Sequence, residues 1–249
     1  MDEHPRAWIF VSATLAVAGD FSHFTRELGL EKAETRSWPS PFDYGRQALL
    51  YLPPGLPPDP NAPEFTAAVV AAALPVLAAS GGRAFLLFTT LRALRRAQEL
   101  LEGRLEYPLL VQGTGSRSEL LARFRRLGNA VLLGAASFWE GVDVPGPALS
   151  VVLIDKLPFA PPDDPVIAAR IAALRAAGRN AFLEEQLPRA ALALKQGAGR
   201  LIRGESDRGV LVLCDPRLVR RPYGRAILEA LPPMRATREI ADVERFFRG

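Results

Sequence analysis

The sequence predicts an α/β fold, a doubly wound and mostly parallel sheet with helices on both faces. Continuous apolar runs such as Val151-Val152-Leu153-Ile154 and Val210-Leu211-Val212-Leu213 suit strands covered on both sides, where the usual in-out alternation is lost because neither face meets water. Along the chain such runs alternate with segments whose apolar residues recur at helical spacing. The 249 residues are 49% hydrophobic and 23% charged, which is enough apolar matter for a real core and too much for a disordered chain.

Each element follows from local pattern. Trp8-Ile9-Phe10-Val11 reads as a short buried strand that stops at the hydroxyl-bearing corner Ser12-Ala13-Thr14-Leu15. Phe21, Phe24, Leu28 and Leu30 are spaced for a short helix, with Gly29 near its end as a stop. Prolines at 39, 41, 53, 54, 57, 58, 60 and 63 surround one alternating run at 47–52, so that run is predicted as a strand inside a Pro-rich connection, with a domain hinge before it. From 64 the pattern gives a helix to 79, a Gly81-Gly82 turn, a strand at 84–88, a helix at 91–101, a strand at 109–111 and a helix at 118–126. Strands at 130–133 and 150–154 follow, then helices within 165–176 and 180–196, a strand at 209–213 and a last helix at 223–231.

Composition bounds the chemistry. Thirty-one basic against 27 acidic residues leave a net charge of +4, which permits nucleic-acid contact without establishing it. All the basic residues except Lys32, Lys156 and Lys195 are arginine, through GC-rich codon usage or through selection for phosphate-binding forks. Cys214 is the single cysteine, so no disulfide, thiolate zinc site or iron–sulfur cluster can be built within this chain, and a reducing, cytoplasmic setting is expected. The apolar stretch at 65–82 is broken by Pro75 and falls short of the ~20 residues of a membrane span, so it reads as a buried helix. The N-terminus lacks the cationic start, apolar run and cleavage site of a secretory signal. His4 and His23 have no partners at metal-ligand spacing, so both are expected on the surface and no metal is expected.

In a sheet of this kind, function gathers at the carboxyl ends of the strands. Thr89-Thr90 follows one strand and opens a helix, where hydroxyls and free N–H groups either hold a phosphate or simply cap the helix. Ser137-Phe138-Trp139-Glu140-Gly141-Val142-Asp143 follows another; Gly141 lets backbone approach a ligand, Asp143 can accept from a sugar hydroxyl, and Phe138 and Trp139 either stack on bases or plug the core. Gln196-Gly197-Ala198-Gly199-Arg200-Leu201-Ile202-Arg203 puts two arginines three residues apart at a helix end. If they share a helical face, both forks reach one polyphosphate; the alternative is a solvated basic helix end. Smaller features have plainer readings: Cys214 is expected in the core, Gly113-Thr114-Gly115-Ser116 either leads into a helix capped by Ser116 or Ser118 or forms a phosphate nest, and Arg92, Arg95 and Arg96 either lie on a solvated helix face or line a DNA channel.

These pieces occur in a telling order. Ser-Ala-Thr after a strand, Phe-Thr-Thr after a strand, Glu-Gly-Val-Asp, and then Gln-x-x-Gly-Arg-x-x-Arg resemble the later motifs of superfamily 2 helicases. The wording "SATL" at 12–15, "SPFDYGRQALLYLP" at 40–53, "SFWEGVDVPG" at 137–146, "DKLPFAPPDDP" at 155–165 and "QGAGRLIR" at 196–203 resembles the DinG/XPD branch of DNA helicases over nearly the whole chain.

That resemblance implies two RecA-like lobes with ATP between them. Residues 1–36 would then be the end of the first lobe with its connection, and 37–249 the second lobe. By likeness, Arg200 and Arg203 are arginine fingers on the γ-phosphate with Gln196 and Gly199 beside them, and Gly141, Asp143 and, less directly, Glu140 face the nucleotide. Ser12 and Thr14 match the motif that couples nucleotide state to the DNA track. Thr89 and Thr90 match its single-stranded DNA phosphate contact, with Phe138 and Trp139 adding stacking. Lys156 lies in branch-typical wording without an assigned role, or pairs near Asp155.

The departures are equally specific. No G-x-x-x-x-G-K-[ST] loop and no Asp-Glu-Ala-His run for Mg²⁺ is present, so half of the site for ATP and Mg²⁺ is expected from the first lobe of a longer parent, and this chain alone is expected to hydrolyse no ATP. An iron–sulfur cluster, known in many relatives, would belong to that parent rather than to this chain. Two other readings stay open: an RNA helicase lobe, and a stand-alone nucleic-acid-binding module that keeps the motifs as scaffold.

Overall fold

The computed structural model describes residues 7–135, 138, 144, 146–161 and 163–249. Seven strands, β1 (Ala48–Tyr51), β2 (Ala84–Leu87), β3 (Leu109–Val111), β4 (Val131–Gly134), β5 (Val151–Ile154), β6 (Gly209–Leu213) and β7 (Arg235–Thr237), form one sheet in the order β3-β4-β2-β5-β6-β1-β7. Every neighbouring pair is parallel. The central strands are in register at their starts, with Ala84 opposite both Val131 and Val151, and Ala48 opposite Gly209. Strands β1, β2, β4, β5 and β6 are buried throughout, as their unbroken apolar runs require.

The helices are α1 (Ser22–Glu27), α2 (Tyr44–Gln47), α3 (Phe65–Ser80), α4 (Leu91–Leu101), α5 (Arg117–Leu127), α6 (Pro165–Ala176), α7 (Leu187–Ala198), α8 (Arg217–Arg220), α9 (Pro222–Glu229) and α10 (Ile240–Arg248). Alternate side chains of each strand enter opposite cores. Leu49, Tyr51, Ala84 and Leu86 pack with Phe65, Val69 and Val70 of α3, Leu94 of α4 and Val243 of α10. Ala48, Leu50, Phe85 and Leu87 pack with Phe124 of α5, Leu194 of α7 and Ile227 of α9. The predicted doubly wound α/β fold is therefore the observed one. Helix α3 runs through Pro75, whose ring and the Ala71 position are both exposed, so water can satisfy the carbonyl that proline leaves without a donor.

Some expectations need correction. Residues 8–11 form no strand: Trp8, Ile9 and Val11 are 72%, 84% and 87% exposed, and the segment pairs with none of the seven strands, so its apolar run has no ladder to join. The predicted helix at 180–196 begins as one π-helical turn, Phe182–Gln186, before α7. Pro188 has no N–H for the Glu184 carbonyl, and the chain widens by a residue per turn there. The edge strand β7 has no apolar run to announce it, whereas helix α10, also unforeseen, does carry a local signal: Ile240, Val243, Phe246 and Phe247 recur at helical spacing before Gly249. Among the described residues, no helix is long and apolar enough to cross a membrane.

Candidate functional site

Two polar regions lie at opposite ends of the sheet. At the amino ends of β1 and β6, a cavity of about 490 Å³ is lined by Ala13, Thr14, Tyr44, Lys195, Gln196, Gly199, Arg200, Arg203 and Pro232. Five residues singled out from sequence, Thr14, Gln196, Gly199, Arg200 and Arg203, thus share one wall of space. The arginines do not share a helical face as expected. Helix α7 ends at Ala198 and Gly199 caps it, after which Arg200 and Leu201 fold into a tight turn through Arg200 N–H to Gly197 O (3.3 Å) and Leu201 N–H to Ala198 O (3.0 Å). That turn buries Leu201 and Ile202 in the core and leaves Arg200 and Arg203 on the cavity side.

The turn is held from outside the predicted motif. The Gln47 amide donates to the carbonyls of Gly204 (2.8 Å), Glu205 (3.1 Å) and Asp207 (3.1 Å). Asp207 Oδ2 accepts from Arg203 N–H and Gly204 N–H, both at 2.8 Å. Arg203 Nε donates to Arg200 O at 3.4 Å. Burial lowers the pKa of Arg203 from its usual value, Asp207 opposes the shift, and Arg125 adds to it: a concentration of positive charge at this wall. Sequence reasoning missed Gln47, Asp207 and Tyr44: a glutamine that reaches backbone carbonyls 157 to 160 residues away leaves no local pattern, and Asp207, although it accepts from amides only three and four residues back, does so in a turn that no helical or strand period announces.

The N-terminal segment that brings Thr14 here is anchored by charge. Lys195, its pKa lowered by burial, donates Nζ to Ala16 O at 3.4 Å. Glu27 of α1 pairs with Arg170 of α6 and Arg189 of α7, and Arg26 with Glu184 (2.9 Å). Ser12 stands exposed outside the cavity and touches Thr14 through their hydroxyls (3.2 Å). His23 is not the surface residue expected. It is buried beside Glu27 and Glu185 with donor atoms within 4.8 Å of one another, and burial lowers its pKa against an opposing effect of Glu185. Both carboxylates are already engaged by Arg170 and Arg189, so the grouping reads as a charge clamp.

At the carboxyl end of β2 the second region contains Thr89 and Thr90. Thr90 caps α4, its Oγ1 accepting from Ala93 N–H at 3.2 Å, and Thr89 N–H donates to the Asp155 carboxylate at 2.9 Å. Thr90 is exposed and Thr89 half-buried, so both hydroxyls remain within reach of a ligand passing over the sheet end. Phe138 is corrected as a stacking residue. It is 3% exposed, packed in the α5 core with the Arg117 guanidinium 5.7 Å over its ring and Gly134 against its side chain, and it has no open face for a base. Trp139, Glu140, Gly141 and Asp143 lie outside the described residues. Ser116 caps α5 in a reciprocal box with Glu119, as its sequence context suggested, and Cys214 is core.

Comparison with known proteins decides what carries this geometry. Residues 73–234 match the model described as "Helicase C-terminal domain". The chain belongs to the helicase C-terminal domain family. It is 50% identical over 246 residues to ATP-dependent DNA helicase YoaA of Escherichia coli K12, covering 99% of this chain and 38% of that protein. It is 39% identical over 245 residues to ATP-dependent helicase DinG of Mycobacterium tuberculosis H37Rv, covering 96% of this chain and 37% of that one. This helicase C-terminal domain therefore spans about 38% of the length of its curated relatives. Among solved structures, S. tokodaii Xpd4 shares the fold at a TM-score of 0.56 and 16% identity, over 78% of this chain and 39% of that chain. S. cerevisiae Dbp5 bound to RNA and ADP BeF3 does so at 0.57 and 15%, over 92% and 53%.

Proposed function

We propose that this domain is the second RecA-like lobe of a two-lobed, ATP-dependent DNA helicase that moves on single-stranded DNA in the 5′ to 3′ direction. Residues 1–36 close the first lobe and connect it, and 37–249 form the second. The observation that carries this reading is the cavity in which Thr14 of the N-terminal segment meets Gln196, Arg200 and Arg203. In a two-lobed motor this is where nucleotide state must be sensed by one lobe and transmitted by the other. Two guanidinium forks on one wall suit the triphosphate of ATP, where they stabilise charge developing on the γ-phosphoryl group.

The same wall contains no carboxylate, so the described lining does not fit a Mg²⁺ site; in this reading the ion is held by the first lobe. Cys214, alone and buried, likewise fits no iron–sulfur cluster in this chain. The exposed run of Trp8, Ile9 and Val11 supports the assignment of the N-terminal segment, since a strand of the first lobe's sheet would be covered there. Thr89 and Thr90 serve the strand through its phosphates, which suits movement along any sequence.

The isolated chain is expected to show no strand-stimulated ATP turnover, and the two-lobed protein to show it. Phosphate release by the purified chain above the level of an Arg200→Ala, Arg203→Ala control would overturn the assignment. Within the two-lobed protein, Gln47→Ala releases the turn that carries Arg203 and is expected to lower kcat by about ten- to a hundredfold with single-strand Kd unchanged. Paired steady-state turnover and fluorescence anisotropy measurements check it. Tighter binding of an RNA strand than of a DNA strand of the same sequence would favour the RNA reading over the DNA one.

A further inference from the structure

Asp155 follows β5 in wording to which sequence reasoning gave no mechanism, and it is one of the most deeply buried charged groups in the domain. Its carboxyl bridges two segments. Oδ1 accepts from Thr89 N–H at 2.9 Å and from Lys156 N–H at 2.8 Å, while Oδ2 stands 3.4 Å from Thr89 Oγ1. It therefore holds the corner that leaves the sheet at β2 and faces the proposed DNA strand.

The hydroxyl of Thr89 has one hydrogen to give. With Asp155 ionised, that hydrogen is drawn to Oδ2 and the Thr89 oxygen presents lone pairs outward, which a phosphate oxygen repels. With Asp155 protonated, Oδ2–H donates to Thr89 Oγ1 and the hydroxyl hydrogen is free to point at a phosphate. We propose that Asp155 is a positioning residue for the strand contact: it fixes the Thr89 and Thr90 corner and, in its protonated form, directs the Thr89 hydroxyl hydrogen to a strand phosphate. This rests on Thr89 being that contact.

The surroundings bring the protonated and ionised forms into balance near neutrality. Burial raises the Asp155 pKa from 3.8 to about 7, against the opposing hydrogen bonds of Thr89 and Lys156 and the charge of Lys156. Lys156 reaches away, donating Nζ to Asn61 Oδ1 at 3.3 Å. From the end of β6, the buried Cys214 thiol is pushed well above its usual value and stays neutral. The Asp215 carboxylate is taken by Leu157 N–H (2.7 Å) and Arg217 Nη2 (2.5 Å). As pH rises through about 7 the folded domain releases the Asp155 proton, the outward hydrogen is lost, and strand affinity falls.

The test is the Kd of the two-lobed protein for a 5′-fluorescein-labelled oligothymidylate at fixed ionic strength, from about pH 6 to about pH 8.5. The unaltered protein is expected to weaken by about three- to tenfold across this range. Asp155→Asn, whose amide accepts from the same N–H groups and always donates to Thr89 Oγ1, is expected to bind at every pH as the unaltered protein does at the acid end. Asp155→Ala is expected to bind about tenfold more weakly throughout, with KM for ATP unchanged. Thr89→Val separates the two ideas. If it leaves affinity intact, Thr89 is not the contact and the underlying reading fails. If it weakens binding while Asp155→Asn keeps the full pH slope, the Asp155 proposal alone is overturned.

Discussion

Arg203→Ala in the two-lobed protein is expected to lower strand-stimulated ATP turnover about a thousandfold while single-strand Kd stays within about twofold. The expectation comes from where the side chain is held. Its backbone N–H is fixed by Asp207, its Nε lies against Arg200 O, and the turn beyond it hangs on Gln47, so the guanidinium is presented to the cavity with little freedom left to lose. Positive charge gathered at this wall, with Arg125 adding to the burial that lowers the Arg203 pKa, is relieved by a polyanion that arrives and is lost during turnover. The strand contact is insulated from this change. Arg203 leads into the amino end of β6 and Thr89 leaves the carboxyl end of β2; at about 3.3 Å per residue, strands of four or five residues separate those edges by about 13 Å or more. Arg203→Lys keeps the charge without the planar fork and is expected to remain more than about tenfold below the unaltered enzyme. Strand affinity that collapsed with Arg203→Ala would make the arginines DNA ligands rather than fingers.

What could be read from the residues alone divides along physical lines. Strands buried on both faces are spelled in consecutive apolar letters, so β2, β4, β5 and β6 were placed to within a residue or so. Helix α5 was legible with its cap narrowed to Ser116 or Ser118, and the structure selects Ser116, whose reciprocal bonds with Glu119 close a local capping box. Strand β7 was not legible: three residues, two of them exposed, pair with β1 only after the chain has crossed the whole sheet. The site divides in the same way. The two arginines were found because they stand three apart, yet the shape that brings them to one cavity is a turn after the helix rather than a helical face. Gln47 and Asp155 escaped notice because their partners, Gly204 and Thr89, lie 157 and 66 residues away. Residues 8–11 show the converse, a strand pattern without a partner, since a ladder needs a neighbour as well as a sequence.

Gly209→Ala is expected to cost about 3 kcal/mol of stability and, with it, most of the turnover. Gly209 opens β6 immediately behind the arginine turn. A Cβ there would meet the Leu201 side chain and lie 2.7 Å from Ser150 O. That carbonyl cannot give way cheaply, because it accepts the Val210 N–H at 2.9 Å and so begins the pairing of β6 with β5. Leu201 is the softer neighbour, and it stands between Arg200 and Arg203, so any relief of the clash displaces the turn that aims both guanidinium groups. At about 2–4 °C per kcal/mol for a domain of this size, Tm is expected to fall by roughly 6–12 °C in thermal denaturation. Gly115→Ala supplies the contrast: its Cβ would meet only Glu119 Oε2 at 3.5 Å, an ordinary contact, and stability is expected to change by less than about 0.5 kcal/mol. If Gly209→Ala loses stability but retains full strand-stimulated kcat at a temperature where it is folded, the arginine turn is not braced by Leu201, and the rigidity assigned to Arg203 must come from Gln47 and Asp207 alone.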